Sequence, residues 1–167
     1  MEILVCRDGT VADADGTIVA DVAVDTAAGE IVAVGDVSDA VETATTVTEL
    51  DASGQFVAPG LIDAHVHLQM DARADTASGR HEPRDSLAFT AAANLRTAVE
   101  AGVTTVRDLG AAGEGAIQAG EAVADGRLVR PRGLASGQAI PMTGGPRHPS
   151  GPRAPGASEA RAAARAP

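Results

Sequence analysis

The chain has 167 residues, a formal net charge of −10 and a sequence pI near 4.7. Nucleic acid and anionic membrane surfaces would be repelled by that charge, so the expected partners are small or neutral molecules. Cys6 is the only cysteine, which rules out an intramolecular disulfide, and no run approaches the ~18 apolar residues needed to span a bilayer, so a cytoplasmic protein is expected.

The acidity is confined to the front. Residues 1–57 hold twelve acidic side chains against Arg7 alone, whereas residues 127–167 hold seven arginines against Glu159. Such a shift predicts separate segments. Within 1–57, Ile3 to Cys6, Thr17 to Val24, Glu30 to Val34 and Val47 to Leu50 are β-branched or alternating, with Gly and Asp clusters between them. These read as the strands of a small β-sandwich-type domain, incomplete as it stands. Ala27-Ala28-Gly29 between two of them predicts a hairpin, with Gly29 free to take a positive φ.

From Phe56 the pattern changes to strand and helix in alternation, the signature of βα units and a parallel sheet. Val57 to Val66 is the first expected strand. Ser86 to Ala101 follows as a helix, with Ser86 as cap and Gly102 as stop. Val103 to Arg107 is the second strand, Gly115 to Asp125 a helix ending at Gly126, and Gly133 to Ser136 a short third strand.

The first of these strands carries His65 and His67. Side chains at i and i+2 of a strand project from one face, so both imidazoles can reach one ion, and Asp63 shares their parity. Asp63 could then orient a ligand imidazole or lie near the metal. On spacing alone a His-x-His pair is weak, and a zinc-binding β protein of another kind would also contain it. Asp108, ending the second strand, either faces the site entrance or caps the loop at Gly110. His81 lies in the loop after the metal strand, where barrels make substrate contacts, although a solvated loop histidine is the plainer reading. Gly144 and Gly145 could offer backbone N–H groups to a substrate anion or simply form a turn.

Pro59-Gly60-Leu61-Ile62-Asp63-Ala64-His65-Val66-His67 resembles the first barrel strand of the amidohydrolase superfamily. Ala101 to Gly110 is similar to that family's second strand. Pro131 to Gly137, followed by Ile140 to Gly145, resembles the branch containing imidazolonepropionase and Xaa-Pro dipeptidase. The resemblance implies a small β domain followed by a TIM (β/α)8 barrel, of which about three units would be present. It implies a divalent metal, with Zn the first expectation and one or two ions in a full-length member. His65 and His67 would hold the more buried ion. The implied reaction is hydrolysis of an amide, cyclic amide or dipeptide C–N bond in a small-molecule or peptide-like substrate, by metal-activated water. Family members add a carboxylated lysine, two further histidines and an aspartate acting as general base. This chain has no lysine, so the bridging group and the base are expected to be absent from it.

Residues 58–145 thus read as the start of the barrel and 146–167 as a tail. The tail holds five Pro, four Arg and seven Ala and no large apolar residue, so it is expected to be disordered or read out of frame. Only Ser158 to Ala166 has the composition of a helix, and a marginal one. The expectation is a truncated front portion, inactive or nearly so unless a separate piece complements it, that aggregates, associates with copies or partners through exposed barrel edges, or stays partly disordered. The alternative is a non-catalytic fragment that binds metal or pairs strands.

Overall fold

A computed structural model describes residues 1–70, 83–128, 131–141 and 154–165. The chain divides into two compact units, residues 1–59 and 60–167. Five strands make up the sheet of the first: β1 (Glu2–Asp13), β2 (Gly16–Asp25), β3 (Glu30–Gly35), β4 (Thr46–Asp51) and β5 (Phe56–Val57), with the short helix α1 (Ser38–Glu42) between β3 and β4. The order is β3-β2-β1-β4, and β5 also pairs with β1. β1 runs antiparallel to β2 and parallel to β4 and β5. The hairpin forms where the sequence placed it, with Gly29 at φ +71° and Asp25 Oδ1 accepting the N–H groups of Ala27 and Ala28.

The five strands form a single sheet, and the segment from Val37 to Ala44, with α1 inside it, covers its apolar face. Val37, Ala40, Val41 and Ala44 pack with Ile3, Val5, Ala23 and Ala33. Polar ties reinforce the sheet: Arg7 on β1 pairs with Asp21 on β2 at 2.7 Å and with Glu49 on β4, linking three strands. The Asp8 N–H and the Arg7 guanidinium hold the Asp21 carboxyl below its ordinary value.

The second unit has a parallel sheet in the order β6 (Leu61–Val66), β7 (Val103–Asp108), β8 (Arg132–Ala135). α2 (Arg84–Glu100) lies between β6 and β7 in the chain, and α3 (Gly115–Ala124) between β7 and β8. This arrangement is consistent with part of a TIM barrel. A further helix, α4, spans Ala157–Ala163.

Helix α2 buries Leu87, Ala91 and Leu95 at a four-residue spacing, with Ala98 on the same stripe. Leu95, Ala91 and Val106 are fully buried beside Leu68, Ala111, Ala116 and Ala119. Sinking one such large side chain contributes about 1.5–3 kcal/mol, so this layer anchors the unit. Close approach of α3 to β8 depends on two glycines, since a Cβ on Gly120 would stand 2.9 Å from the Gly133 carbonyl oxygen.

Two boundaries differ from the sequence reading. α2 begins at Arg84, with Pro83 at its cap, and the Ser86 hydroxyl donates to the Pro83 carbonyl at 2.8 Å from inside the first turn. Proline tolerates this place because its missing N–H would be unpaired there anyway. The strand expected over Val57 to Val66 is broken: Val57 pairs with β1, and β6 starts only at Leu61. Pro59 cannot donate to a ladder. Gly60 passes so close to β7 that a Cβ there would overlap the Thr104 side chain, which explains why glycine stands in the motif.

Candidate metal centre

β6 points its carboxyl end at the loop 67–70. Its ladder with β7 is irregular, with a register shift between Asp63 and Val66. Inside that shift Asp63 Oδ1 accepts the His65 N–H at 3.1 Å. The carboxylate therefore braces the backbone of the first histidine. A simple two-residue alternation does not describe this stretch, yet the histidines still meet. Their ring centroids are 5.4 Å apart and the planes cross at 84°.

That separation can be compared with what a shared ion requires. Two imidazoles bound tetrahedrally at about 2.0–2.1 Å place their ring centres about 5 Å apart. The observed separation is compatible with a shared ion, and it is also that of an ordinary edge-to-face ring contact. His65 is exposed and His67 half-buried, and the Nδ1 atom of His67 is buried with no hydrogen-bond partner among the described residues. An orphaned buried nitrogen is costly unless it has a ligand. The pair fits two positions of a metal's coordination shell, and among the described residues no group of three His, Cys, Asp or Glu stands ready to hold an ion.

Side chains from elsewhere fix the turn that follows His67. Met70 N–H donates to the His67 carbonyl at 3.0 Å, closing the turn. Asp108, at the end of β7, is fully buried; its Oδ2 accepts the Leu68 N–H at 2.7 Å and its Oδ1 the Gly110 N–H at 2.9 Å. Of its two sequence readings the loop cap is the one these bonds describe, and the cap spans two loops. Asn94 on α2 donates from Nδ2 to the carbonyls of Leu68 and Met70, both at 2.8 Å. Gln69 Oε1 accepts the Ala112 N–H at 2.6 Å, joining the loop after β6 to the loop after β7.

Asn94 and Gln69 escaped the sequence reading. A signal existed for Asn94: it interrupts the stripe Leu87, Ala91, Leu95, Ala98 with an amide on a face that is otherwise apolar. Gln69 had none, since a lone glutamine in a loop is ordinary. His81, Gly144 and Gly145 lie outside the described residues.

A parallel α/β sheet with imidazoles at the carboxyl end of its first strand is consistent with part of a TIM barrel, a fold whose sites lie at that end of the strands. The amidohydrolase family model matches residues 56–165, and the chain belongs to that family. A solved prolidase complexed with N-methylphosphonate-L-proline is 30% identical, with a TM-score of 0.71 over 87% of this chain and 34% of that one. An Xaa-Pro dipeptidase with methionine bound in its active site is 25% identical, with a TM-score of 0.79 over 98% of this chain and 43% of that one. Molinate hydrolase is 27% identical, with a TM-score of 0.67 over 84% of this chain and 31% of that one. The chain thus spans between 31 and 43% of the length of these three structures. No curated protein sequence matches it. Among the described residues no helix is long and apolar enough to cross a membrane.

Proposed function

We propose that this chain supplies the first metal-binding strand of an amidohydrolase that hydrolyses a C–N bond in an amide, cyclic amide or dipeptide. The observation that carries the reading is the 5.4 Å separation of the His65 and His67 rings at the carboxyl end of β6, inside the segment matched by the family model. The names of the similar structures, a prolidase, an Xaa-Pro dipeptidase and molinate hydrolase, support hydrolysis and a small substrate. The three parallel strands β6 to β8 correspond in this reading to the first three of the eight in a barrel.

His65 and His67 would hold the ion, with zinc the first expectation because two imidazoles suit it and its tetrahedral preference fits their spacing. The chemistry supplied by a bound divalent ion is Lewis acidity, which polarises a carbonyl and activates water. The chain's own contribution is geometric. Asp63 holds the His65 backbone, and the turn after His67 is fixed at both its N–H and its carbonyl groups. With no lysine in the chain, no carboxylated lysine can bridge a second ion from these residues. The 167 residues alone are therefore expected to bind zinc without turnover.

Calorimetric titration of the purified chain with Zn2+, followed by an assay on Xaa-Pro dipeptides, tests both parts. The expected result is zinc binding lost in a His65→Ala, His67→Ala double variant, together with no hydrolysis above the metal-only rate. Turnover by the chain alone would overturn the claim that its site is incomplete.

A further inference from the structure

We propose that Asn94 and Asp108 are positioning residues for the histidine pair, clamping the turn 68–70 so that His67 presents its ring in a fixed direction. The inference rests on the metal-centre reading above and deepens it. Leu68 directly follows His67, and both of its backbone polar groups are taken by side chains distant in sequence. Its N–H goes to Asp108 Oδ2, 40 residues away, and its carbonyl to Asn94 Nδ2, 26 residues away. The second bond of Asn94, to the Met70 carbonyl, fixes the far end of the turn. The second oxygen of Asp108 holds the Gly110 N–H, so the same carboxyl ties the loop after β6 to the loop after β7.

A mere helix or loop cap would need far less. One bond from a serine or asparagine would satisfy the Leu68 N–H, yet the fold places a fully buried carboxyl there and a half-buried amide beside the buried stripe of α2. Burying such groups is costly and is tolerated when every bond is made. What the cost secures is the path of the backbone at one residue, the residue next to His67. Leu68 itself is locked into the apolar layer, 4% exposed, beside Leu95 and Val106. With the peptide groups on both sides of Leu68 held, the direction in which the chain leaves His67 is set, and with it the place from which the ring is offered. Asp63 does the equivalent for His65 through that residue's N–H. Each imidazole thus has its own backbone clamp. Groups that hydrogen-bond a ligand's own ring contribute about 10–100-fold to metal affinity, and a clamp on the backbone beside the ligand acts one step further out, with an expected contribution at or below the lower end of that range.

Titration of the full chain with Co2+, followed by its visible absorption bands, tests the proposal because those bands report ligand geometry as well as occupancy. Asn94→Ala and Asp108→Asn are each expected to weaken Co2+ binding by up to about 10-fold and to alter the bands. Glu100→Ala, which removes only the exposed 2.6 Å ion pair with Arg96 on the same helix, should leave affinity and bands unchanged. Circular dichroism checks the folded fraction. Should Asp108→Asn unfold, Asn94→Ala decides, because Asn94 is only half-buried and leaves the Asp108 clamp intact. Wild-type Co2+ affinity and bands in a folded Asn94→Ala chain, alongside loss of binding in His65→Ala, would overturn the proposal while leaving the metal centre standing. If His65→Ala and His67→Ala bind Co2+ as the wild type does, the metal centre falls and the positioning role falls with it.

Discussion

Asp108→Ala should destabilise the second unit by about 2–6 kcal/mol, because two buried N–H groups lose their acceptors and each unsatisfied group costs about 1–3 kcal/mol. The groups are those of Leu68 and Gly110, held at 2.7 and 2.9 Å by a carboxyl with no exposed surface. Alanine also leaves the volume of the carboxyl empty. Set against the ~5–15 kcal/mol that holds a typical domain together, the loss is enough to unfold a marginal one. Asp108→Asn retains one oxygen acceptor and should lose roughly half as much. Urea denaturation followed by circular dichroism checks the series, and a midpoint for Asp108→Ala equal to that of the wild type would show that these bonds carry no stability.

Leu95→Ala is the second large effect, with an expected cost of about 2–5 kcal/mol. Leu95 is fully buried at the centre of the layer between α2 and the sheet, touching the cluster that includes Leu68, Ala91 and Val106. Its neighbours are largely alanines and valines, which are too small to close the cavity. Phe89 on the same helix provides the contrast: it is the larger side chain but is 78% exposed, and Phe89→Ala should change stability by no more than about 0.5 kcal/mol. Thermal melts of the two variants should rank them in this order. The opposite ranking would mean that α2 packs through another face.

The same two residues show why some of this architecture can be read from sequence and some cannot. Ser86 and Gly102 signal the ends of α2, and β7 is a run rich in β-branched residues directly after that glycine, so the extents of both lie within two residues of expectation. Gly29, Gly102 and Gly126 marked ends that the structure places at positive φ. α1 has only the five residues Ser38–Glu42, and β5 only two, so neither contains a period. Both form because a packed partner is available, Ile3 and Val5 for the segment carrying α1 and the Thr10–Val11 stretch of β1 for β5. Pro59 and Gly60 mark the break between Val57 and Leu61 in the sequence, but the motif runs across it and hides it.

At the site, the two histidines were legible from their spacing and their motif, whereas their supports were not. Asp63 and Asp108 are acids near strand ends, where sequence alone does not show which backbone N–H groups they hold. Asp63 takes the His65 N–H and Asp108 the Leu68 and Gly110 N–H groups. Asn94 is 26 residues from the carbonyl it holds, a distance that no local pattern reports.

X-ray absorption at the zinc edge of the zinc-loaded chain tests the central claim most directly, since it counts the scatterers around the ion. The account predicts two imidazole nitrogens at about 2.0–2.1 Å, recognised by multiple scattering from their rings, the remaining positions filled by oxygen donors, and loss of the imidazole signal in the His65→Ala, His67→Ala variant. A zinc spectrum without imidazole scattering, or one that survives removal of both histidines, would contradict it.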